Sequence, residues 1–380
     1  MSLLQDFVQS APPGTEEALA ALACAESLTD SVAVAIYERA PVSGLDARDF
    51  LSAFKYSGLT EPRNSEWNLA PTLRRELLAS AALDADVKQQ VHRLLLGLGT
   101  DESNRGSAGS EVPAYLFTPA GLAYHFAGAG DLDSAMAHYS EASEGEFTGA
   151  QWLGAQLAQE QERNGVIPHG RVETDFLKAW VLWREGHRQA AMPLFQRVAE
   201  TDLPRREVAI ALHIVGNDND RGQRRAAESE LRRSIEIGEE IGNPSHVAQA
   251  LHSLANLLAR QDRLDEAEKA CVRSIEIDSQ LGNQFGVAKA LHSLANLLAR
   301  QDRLDEAEKA YERSIEIGER LKNQRHLAQV LMNYGTAIAV RSVDRALALL
   351  HRSLDIERRR GNRYFIGLVE RRIKEVRGQR

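Results

Sequence analysis

The sequence predicts an all-α protein in which a small helical domain precedes a long solenoid of helix hairpins. Two consecutive 40-residue units, 242–281 and 282–321, are identical at 31 positions. Within each unit, apolar residues recur at i, i+3, i+4 and i+7, which is the spacing of one face of a helix. A polar segment rich in Gly and Ser, 99–112, separates the N-terminal patterns from the rest of the chain. We therefore expect a flexible linker and a domain boundary there.

The N-terminal domain is predicted to span 1–98 and to be mainly helical. Its apolar residues follow the helical period in five stretches, and a short extended piece is expected at 66–69. The five predicted helices lie at 15–26, 30–38, 46–56, 72–82 and 87–96.

After the linker, the chain repeats one plan of helix, short turn and helix. Degenerate hairpins are expected over 113–201, where 122–139 and 176–198 each contain a Gly-bearing turn. A clearer array is expected over 202–360. An amphipathic helix over 361–380 should cap this array with its polar outer face.

Each hairpin of the array is too small to have a core of its own. Leu254 belongs to the apolar stripe of a first helix, and Ala267 and Cys271 belong to that of the second. Small residues let the two helices approach closely, so the remaining apolar face must pack against the next hairpin. The acidic runs around Glu268 and Glu308 are expected on solvated outer faces.

This pattern of small and large apolar residues resembles the tetratricopeptide repeat (TPR). The resemblance rests on Leu254, Ala255, Leu258, Ala267 and Ser274, with equivalent residues in the next unit. The 40-residue period is similar to that of kinesin light chains and of many bacterial regulators. The resemblance implies a right-handed TPR α-solenoid. Asp262 and Asp302 depart from the family because they replace the usual turn glycine, so we expect the turn to differ.

The segment 67–74 (WNLAPTLR) resembles the wing strand and following helix in the winged-helix module of STAND regulators. In that family, a winged helix followed by superhelical repeats forms the sensing and autoinhibitory half. The phosphate-binding motif G-x-x-x-x-G-K-[ST] does not occur in the sequence, so this half would act without its nucleotide switch. The complete prediction is an N-terminal winged-helix-like helical domain followed by a TPR α-solenoid.

Composition and charge argue against several classes of function. The 380 residues are 43% hydrophobic, which is enough for cores in about two or three domains. The net charge of −8 gives no general attraction for nucleic acid or anionic lipid. No apolar run approaches the roughly 20 residues of a membrane-spanning helix, and residues 1–10 lack the basic start of a secretory signal. We expect a cytoplasmic bacterial protein that has no membrane partner.

No motif for catalysis, metal or cofactor binding stands out. The sequence contains neither H-E-x-x-H nor C-x-x-C. Cys24 and Cys271 are predicted to be buried small hydrophobes in a reducing compartment. His252 and His292 occupy equivalent positions in adjacent units and are predicted to face a groove or to pack, not to bind a metal. We expect no enzymatic activity, no cofactor and no metal.

The TPR resemblance also implies where a partner binds. In the family, one face of each first helix points into a concave groove, and in this sequence those positions are mostly polar or basic. Asparagines can hydrogen-bond to a peptide backbone, and arginines suit carboxylates through a bidentate fork. We therefore predict that a protein or peptide contacts Gln249, His252, Asn256, Arg260, Lys289, His292, Asn296, Arg300, Gln329, Met332 and Thr336.

Two functions of different class follow from these patterns. The first is a non-catalytic adaptor or sensor that holds a partner protein or peptide in the groove, within a bacterial signalling or defence pathway. The alternative is a transcriptional regulator in which the TPR array controls a DNA-binding winged helix. The candidate recognition helix is the predicted helix 46–56, which carries Arg48 and Lys55. It also carries Asp46 and Asp49, which would repel DNA phosphates. We therefore expect a protein partner and not nucleic acid.

Overall fold

The structure is a computed structural model, and its described residues are predominantly helical. Those residues are 8, 11–55, 57, 59–63, 66–80, 82–101, 104, 112–144, 149–203, 205–219 and 224–378. They contain one sheet, and it has only two short strands. The predominance of helices confirms the all-α prediction. The chain divides into two compact units, Met1–Val198 and Ala199–Arg380.

The first unit begins with short helices and one β-hairpin, close to the predicted stretches. Pro71 begins α4, where its missing N–H would have no intrahelical partner in any case. Asp84 caps α5 because its carboxylate accepts from the backbone N–H of Asp86 at 2.8 Å. The elements are α1 (Thr15–Ala23), α2 (Asp30–Tyr37), α3 (Ala47–Lys55), β1 (Thr60–Arg63), β2 (Glu66–Leu69), α4 (Pro71–Ala79) and α5 (Ala85–Thr100).

The two strands pair antiparallel, with Pro62 opposite Trp67. Trp67 also forms an isolated β-bridge with Leu28. The extended piece predicted at 66–69 is confirmed, whereas β1 could not be predicted because Pro62 and its charged neighbours give no strand pattern. The order of helix, bridge, two helices and hairpin is compatible with a winged helix, and the winged-helix assignment stays a prediction.

The predicted linker begins earlier than the structure allows. α5 continues to Thr100, and Gly99 is buried against Leu116. A Cβ at position 99 would lie 2.4 Å from the carbonyl oxygen of Leu116, so this close approach requires glycine. Leu116 belongs to the same hydrophobic core as the N-terminal helices, so the expected boundary at 98 falls inside the first compact unit. Residues 102–103 and 105–111 of the linker lie outside the described residues.

The remainder of the first unit contains the two predicted helix–turn–helix segments. Gly130 (φ 91°) turns the chain between α6 and α7, and Gly186 (φ 89°) does so between α9 and α10. The elements are a short 3-10 helix (Ala114–Phe117), α6 (Pro119–Gly128), α7 (Leu132–Ala142), α8 (Gly149–Arg163), α9 (Val172–Arg184) and α10 (Arg188–Ala199).

The second unit is a series of four hairpins followed by one helix. We call α11, α13, α15 and α17 the first helices, and α12, α14, α16 and α18 the second helices. Consecutive first helices contact one another, and α19 buries Val369, Ile373 and Val376 in the core of the last hairpins. The elements are α11 (Arg206–Asn219), α12 (Arg224–Glu240), α13 (Pro244–Arg260), α14 (Leu264–Gln280), α15 (Gln284–Arg300), α16 (Leu304–Arg320), α17 (Gln324–Ile338), α18 (Val343–Arg360) and α19 (Arg363–Arg377).

An equivalent hydrogen bond joins the two helices in each of the four hairpins of the second unit. The buried hydroxyl of Ser274 on α14 donates to the carbonyl of Ala248 on α13 at 2.9 Å. The pattern therefore needs a small residue with a hydroxyl at this position, because a larger side chain would separate the helices. The equivalent pairs are Ser234 with Ala209, Ser314 with Ala288 and Ser353 with Ala328.

The acidic runs of the second helices are less solvated than predicted. Glu268 on α14 accepts from Arg303, which lies in the turn before α16, at 2.7 Å. Glu308 on α16 accepts from Arg345 on α18 at 2.5 Å. The side chains of Glu268 and Glu308 are only 25% and 18% exposed. The prediction of freely solvated faces is wrong at these two residues, because each carboxylate joins one hairpin to the next.

Non-glycine residues take left-handed backbone conformations at three turns of the array. Asp262 (φ 63°) and Asp302 (φ 60°) stand where the family usually has glycine, and aspartate tolerates this region better than most residues. Lys322 (φ 54°) is the third, and it occupies the position of Gly282 (φ 68°) in the preceding unit. The lysine is therefore a strained substitute for glycine.

We predict that Lys322→Gly stabilises the second unit by about 1 kcal/mol, because glycine reaches this conformation without the Cβ penalty. The reverse change, Gly282→Lys, should destabilise it by a similar amount. Urea unfolding should be followed by far-UV circular dichroism, since the four tryptophans all lie before residue 199. A shift of both variants in the same direction would contradict this account of the turns.

Candidate functional site

A pocket of about 560 Å³ lies where the first helices α13, α15 and α17 meet. Its volume is within the usual range for ligand sites. Four of the eleven predicted contact residues line it, namely His252, Lys289, His292 and Gln329. We call this the central pocket, and its complete lining is His252, Phe285, Lys289, His292, Ser293, Asn323, Arg325, His326 and Gln329.

The two predicted asparagines lie beside this pocket and use their oxygens internally. The Asn256 side-chain oxygen accepts from the Ser293 hydroxyl at 3.3 Å. The Asn296 oxygen accepts from the Tyr311 hydroxyl at 2.6 Å. Each amide therefore retains its two N–H donors, the groups that would bind the carbonyl oxygens of a peptide backbone.

The remaining predicted residues lie outside the lining of the central pocket. The Arg300 guanidinium donates to the Ala259 carbonyl at 2.6 Å and to the Asp262 carboxylate at 3.0 Å, so it lies against the preceding hairpin turn. The Thr336 hydroxyl donates to the backbone carbonyl of Met332 at 2.8 Å. Gln249 and Arg260 are exposed, and Met332 is half-buried.

Sequence reasoning missed five lining residues, and the repeats themselves carried a signal for three of them. Phe285 lies in the unit 282–321, and Arg325 and His326 lie in the weaker copy 322–360. All three occupy early positions at which the residue changes from one unit to the next. Such differences are tolerated where a side chain faces solvent or a ligand. Phe285 is 42% exposed, and the Lys289 ammonium lies 5.8 Å from the centre of its ring. The other two missed residues are Ser293 and Asn323.

The positive charge of the central pocket comes from Lys289 and Arg325. Among the described residues that line it, none is acidic. Burial, together with the nearby His326 and His252, lowers the pKa of His292 to about 3. Burial and the Lys289 ammonium lower the pKa of His252 to about 4 and also lower that of His326. At neutral pH these imidazoles are therefore neutral, and they provide hydrogen-bonding groups and not charge.

The hydrogen bonds of the imidazoles fix their orientation. Ser314 gives its only hydroxyl proton to the Ala288 carbonyl, so Nε2 of His326, 3.0 Å from that hydroxyl oxygen, must be the donor. Nε2 of His292 lies 2.9 Å from the amide nitrogen of Asn333 and accepts from it. Nδ1 of His252 is buried and has no hydrogen-bond partner among the described residues.

A second pocket of about 510 Å³ runs along α14 on the second-helix side. Its lining mixes both signs of charge and comes from a single helix, so it does not select a charge type. The residues are Asp265, Glu268, Lys269, Val272, Arg273 and Glu276.

The predicted recognition helix, which is α3 in the structure, does not present a strongly basic surface among its described residues. Lys55 is paired with Asp30 and lies 5.4 Å from the Trp67 ring centre. Of the other charges there, Arg48 and Asp49 are both exposed and oppose each other in sign. The DNA-binding alternative stays a prediction, and this geometry does not favour it.

The described residues contain neither a membrane-spanning helix nor a cluster of metal ligands. Within the described helices, none combines the length and apolar character needed to cross a membrane. In the same part of the chain, no group of three or more His, Cys, Asp and Glu side chains is arranged to hold a metal ion.

Comparison with protein families identifies the repeated region. The family model described as "Tetratricopeptide repeat" matches 247–277 and 287–328. These residues are tetratricopeptide repeats. The match includes most of α13 to α16 and the first residues of α17, and it confirms the family predicted from the apolar pattern. No curated protein sequence matches the chain.

Several solved structures resemble the chain at low identity. BtubC (BKLC) from P. vanneervenii is 19% identical, with a TM-score of 0.45, over 60% of this chain and 91% of that protein. A putative kinesin light chain with nearly identical TPR-like repeats from Podosopora anserina is 17% identical, with a TM-score of 0.41, over 50% and 97%. A STAND protein with a TPR sensor from Pyrococcus horikoshii is 10% identical, with a TM-score of 0.44, over 99% and 64%. With TM-scores below 0.5, these similarities do not transfer a function.

Proposed function

We propose that the protein is a non-catalytic adaptor or sensor whose TPR array binds an acidic segment of another protein. The observation that carries this proposal is the charge of the central pocket. Lys289 and Arg325 converge there with uncharged donors, and the described lining contains no carboxylate. The two cations therefore make this part of the first helices locally positive, although the net charge of the whole chain is −8. A locally positive site of this kind favours an anionic partner.

The surroundings of the pocket suit a peptide better than a small anion. Asn256 and Asn296 present amide donors on successive first helices, in register with the repeat. A peptide backbone could accept from them while an acidic side chain reaches Lys289 and Arg325. Phe285 adds an exposed aromatic surface beside the cations. The bacterial signalling or defence setting is proposed on the STAND resemblance alone.

The available groups support binding more than catalysis. The Ser293 hydroxyl donates to Asn256 and not to an imidazole, so it lacks the general base that would activate it. Burial raises the pKa of the Cys24 thiol to about 11 and that of Cys271 to about 12, which keeps both thiols protonated and unreactive.

We predict that a peptide library displayed on phage and selected against the full chain will be enriched in Asp and Glu. Lys289→Ala with Arg325→Ala should weaken a selected peptide by about 2 kcal/mol, because two charge-assisted contacts are lost. The matched control is Lys309→Ala with Arg313→Ala on α16, which removes the same charges from the second-helix side. Affinity should be measured by isothermal titration calorimetry. Selection without acidic enrichment, or a greater loss in the control, would contradict the proposal.

A further inference from the structure

We infer that the central pocket takes up a proton when an acidic segment enters it, so that the TPR array holds this segment more tightly in mildly acidic solution. The inference rests on the proposed function, since it concerns the regulation of the same site. It starts from a geometric fact, which is that three imidazoles share one pocket with two cations.

The imidazoles are close enough to one another for their charges to interact. The rings of His292 and His326 have centres 5.8 Å apart and are nearly perpendicular. His252 lines the same pocket from α13, and the Lys289 ammonium group lines it from α15. In the absence of a ligand, any added proton would therefore meet neighbouring positive charge and a largely buried site.

The elements packed around the cluster supply few compensating charges. The titratable or charged groups beside the cluster are His213 from α11, Asp278 from α14, Lys289 from α15, Tyr311 from α16 and Arg325 from α17. His246 lies behind His213, with ring centres 5.6 Å apart. Asp278 is the one carboxylate among them. It is buried, it accepts from Asn283 at 2.8 Å and it does not line the pocket. Burial raises its pKa, so it is a weak counter-charge as the solution becomes acidic.

Each imidazole nevertheless has a position for an additional proton. Nδ1 of His252 has no partner among the described residues, and Nδ1 of His326 is its unprotonated nitrogen once Nε2 donates to Ser314. The Asn333 amide could rotate so that its oxygen, instead of its nitrogen, faces Nε2 of His292. The pocket thus accommodates protonation without rebuilding its backbone.

A carboxylate bound by Lys289 and Arg325 would be the first negative charge inside this lining. It would offset the two cations and attract a proton to the nearest imidazole, because an opposite charge within several ångströms favours the charged form. Binding and protonation are then linked in both directions. For each proton taken up, affinity rises by up to about tenfold for every unit by which the pH is lowered. This rise is confined to the range between the pKa of the imidazole in the complex and its pKa in the free protein.

The test uses the full chain and one defined probe, an acetylated decapeptide of alternating glutamate and glycine. Calorimetry at pH 7.5, 6.5 and 5.5, in buffers of different ionisation enthalpy, measures both affinity and proton uptake. We expect at least fivefold tighter binding at pH 5.5 than at pH 7.5, together with net proton uptake. The circular dichroism spectrum at each pH verifies that the array is folded.

Two results would overturn the inference in different ways. Binding that tightens less than fivefold, or that tightens without proton uptake, contradicts the coupling but leaves the acidic-partner proposal intact. Absence of binding at every pH contradicts both. The triple change His252→Gln, His292→Gln and His326→Gln should abolish the pH dependence, and His351→Gln, on the exposed surface of α18, should not. If the triple variant unfolds, each single variant should still reduce proton uptake, and three unchanged single variants would contradict the assignment.

Discussion

Replacing Arg74 with alanine is expected to reduce the unfolding free energy of the first unit by about 3–5 kcal/mol. Its guanidinium is buried and pairs with Glu160 and with Glu26, the latter at 3.2 Å. It also donates to the Tyr124 hydroxyl at 3.2 Å and to the Ala23 carbonyl at 3.1 Å. Alanine would leave two carboxylates and these oxygens without their cation, and a buried charge without a partner is far costlier than a lost surface pair.

The control for this prediction is the adjacent residue on the same helix. Arg75 is exposed, so Arg75→Ala should change stability by less than about 0.5 kcal/mol. Urea unfolding followed by tryptophan fluorescence reports the first unit selectively, because Trp67, Trp152, Trp180 and Trp183 are the four tryptophans of the chain. Equal effects of the two alanine variants would show that the Arg74 network does not hold this unit together.

The second large effect is expected where one hairpin meets the next, because a small residue on one helix faces a larger residue on the following helix. His326 packs over Gly318, where an added Cβ would lie 3.2 Å from the imidazole, and His246 covers Gly238 in the same way. At the junction between these two, the glycine is on the following helix and the larger residue is on the preceding one. Asp278 fills the space beside Gly286, and a Cβ at 286 would lie 2.2 Å from its carboxylate oxygen.

Gly286→His should therefore destabilise the second unit by about 3 kcal/mol, because the new side chain overlaps a buried carboxylate. Adding Asp278→Gly should recover about 2 kcal/mol, since the double variant reproduces the arrangement of the adjacent junctions. Thermal unfolding by circular dichroism measures both. Gly367→His on α19 is the matched control, because a Cβ there meets nothing within 4 Å. Strictly additive effects of the two changes at 278 and 286 would contradict the exchange.

Periodicity sufficed to predict the repeats because one 40-residue pattern determines both helices of a hairpin and their burial. The Ser274 position and the place of the turn at Asp262 followed from the same alignment of units. The left-handed conformation of Asp262 did not, because the replacement of the usual glycine predicted a different turn. The strand Thr60–Arg63 could not be predicted, because its pairing with β2 depends on tertiary position and not on its own composition.

The site was harder to predict than the fold, for a physical reason. Alignment to the repeat identifies which residues share a helix face, and that was enough to select His252 and Lys289. It does not specify which side chains turn away, as Arg300 does toward Asp262. Nor does it reveal residues from the inter-hairpin turn such as Asn323, which enter the pocket only when hairpins stack.

Arg74 illustrates a signal that was present and missed. It lies with Leu73, Leu77 and Leu78 on the buried face of α4, so an arginine in an apolar stripe already indicated a buried ionic partner. Its partners Glu26 and Glu160 are distant in sequence, and only the folded unit brings them together.

The central claim is that a partner binds on the first-helix side of the TPR array. It is tested most directly by photo-cross-linking from two matched positions, with benzoylphenylalanine placed at Gln329 in the central pocket or at Lys309 on the second-helix side. The probe is the peptide selected from the displayed library. We predict an efficient cross-link from position 329 that excess unlabelled peptide abolishes, and none from position 309. Efficient cross-linking from 309 without any from 329 would contradict the account.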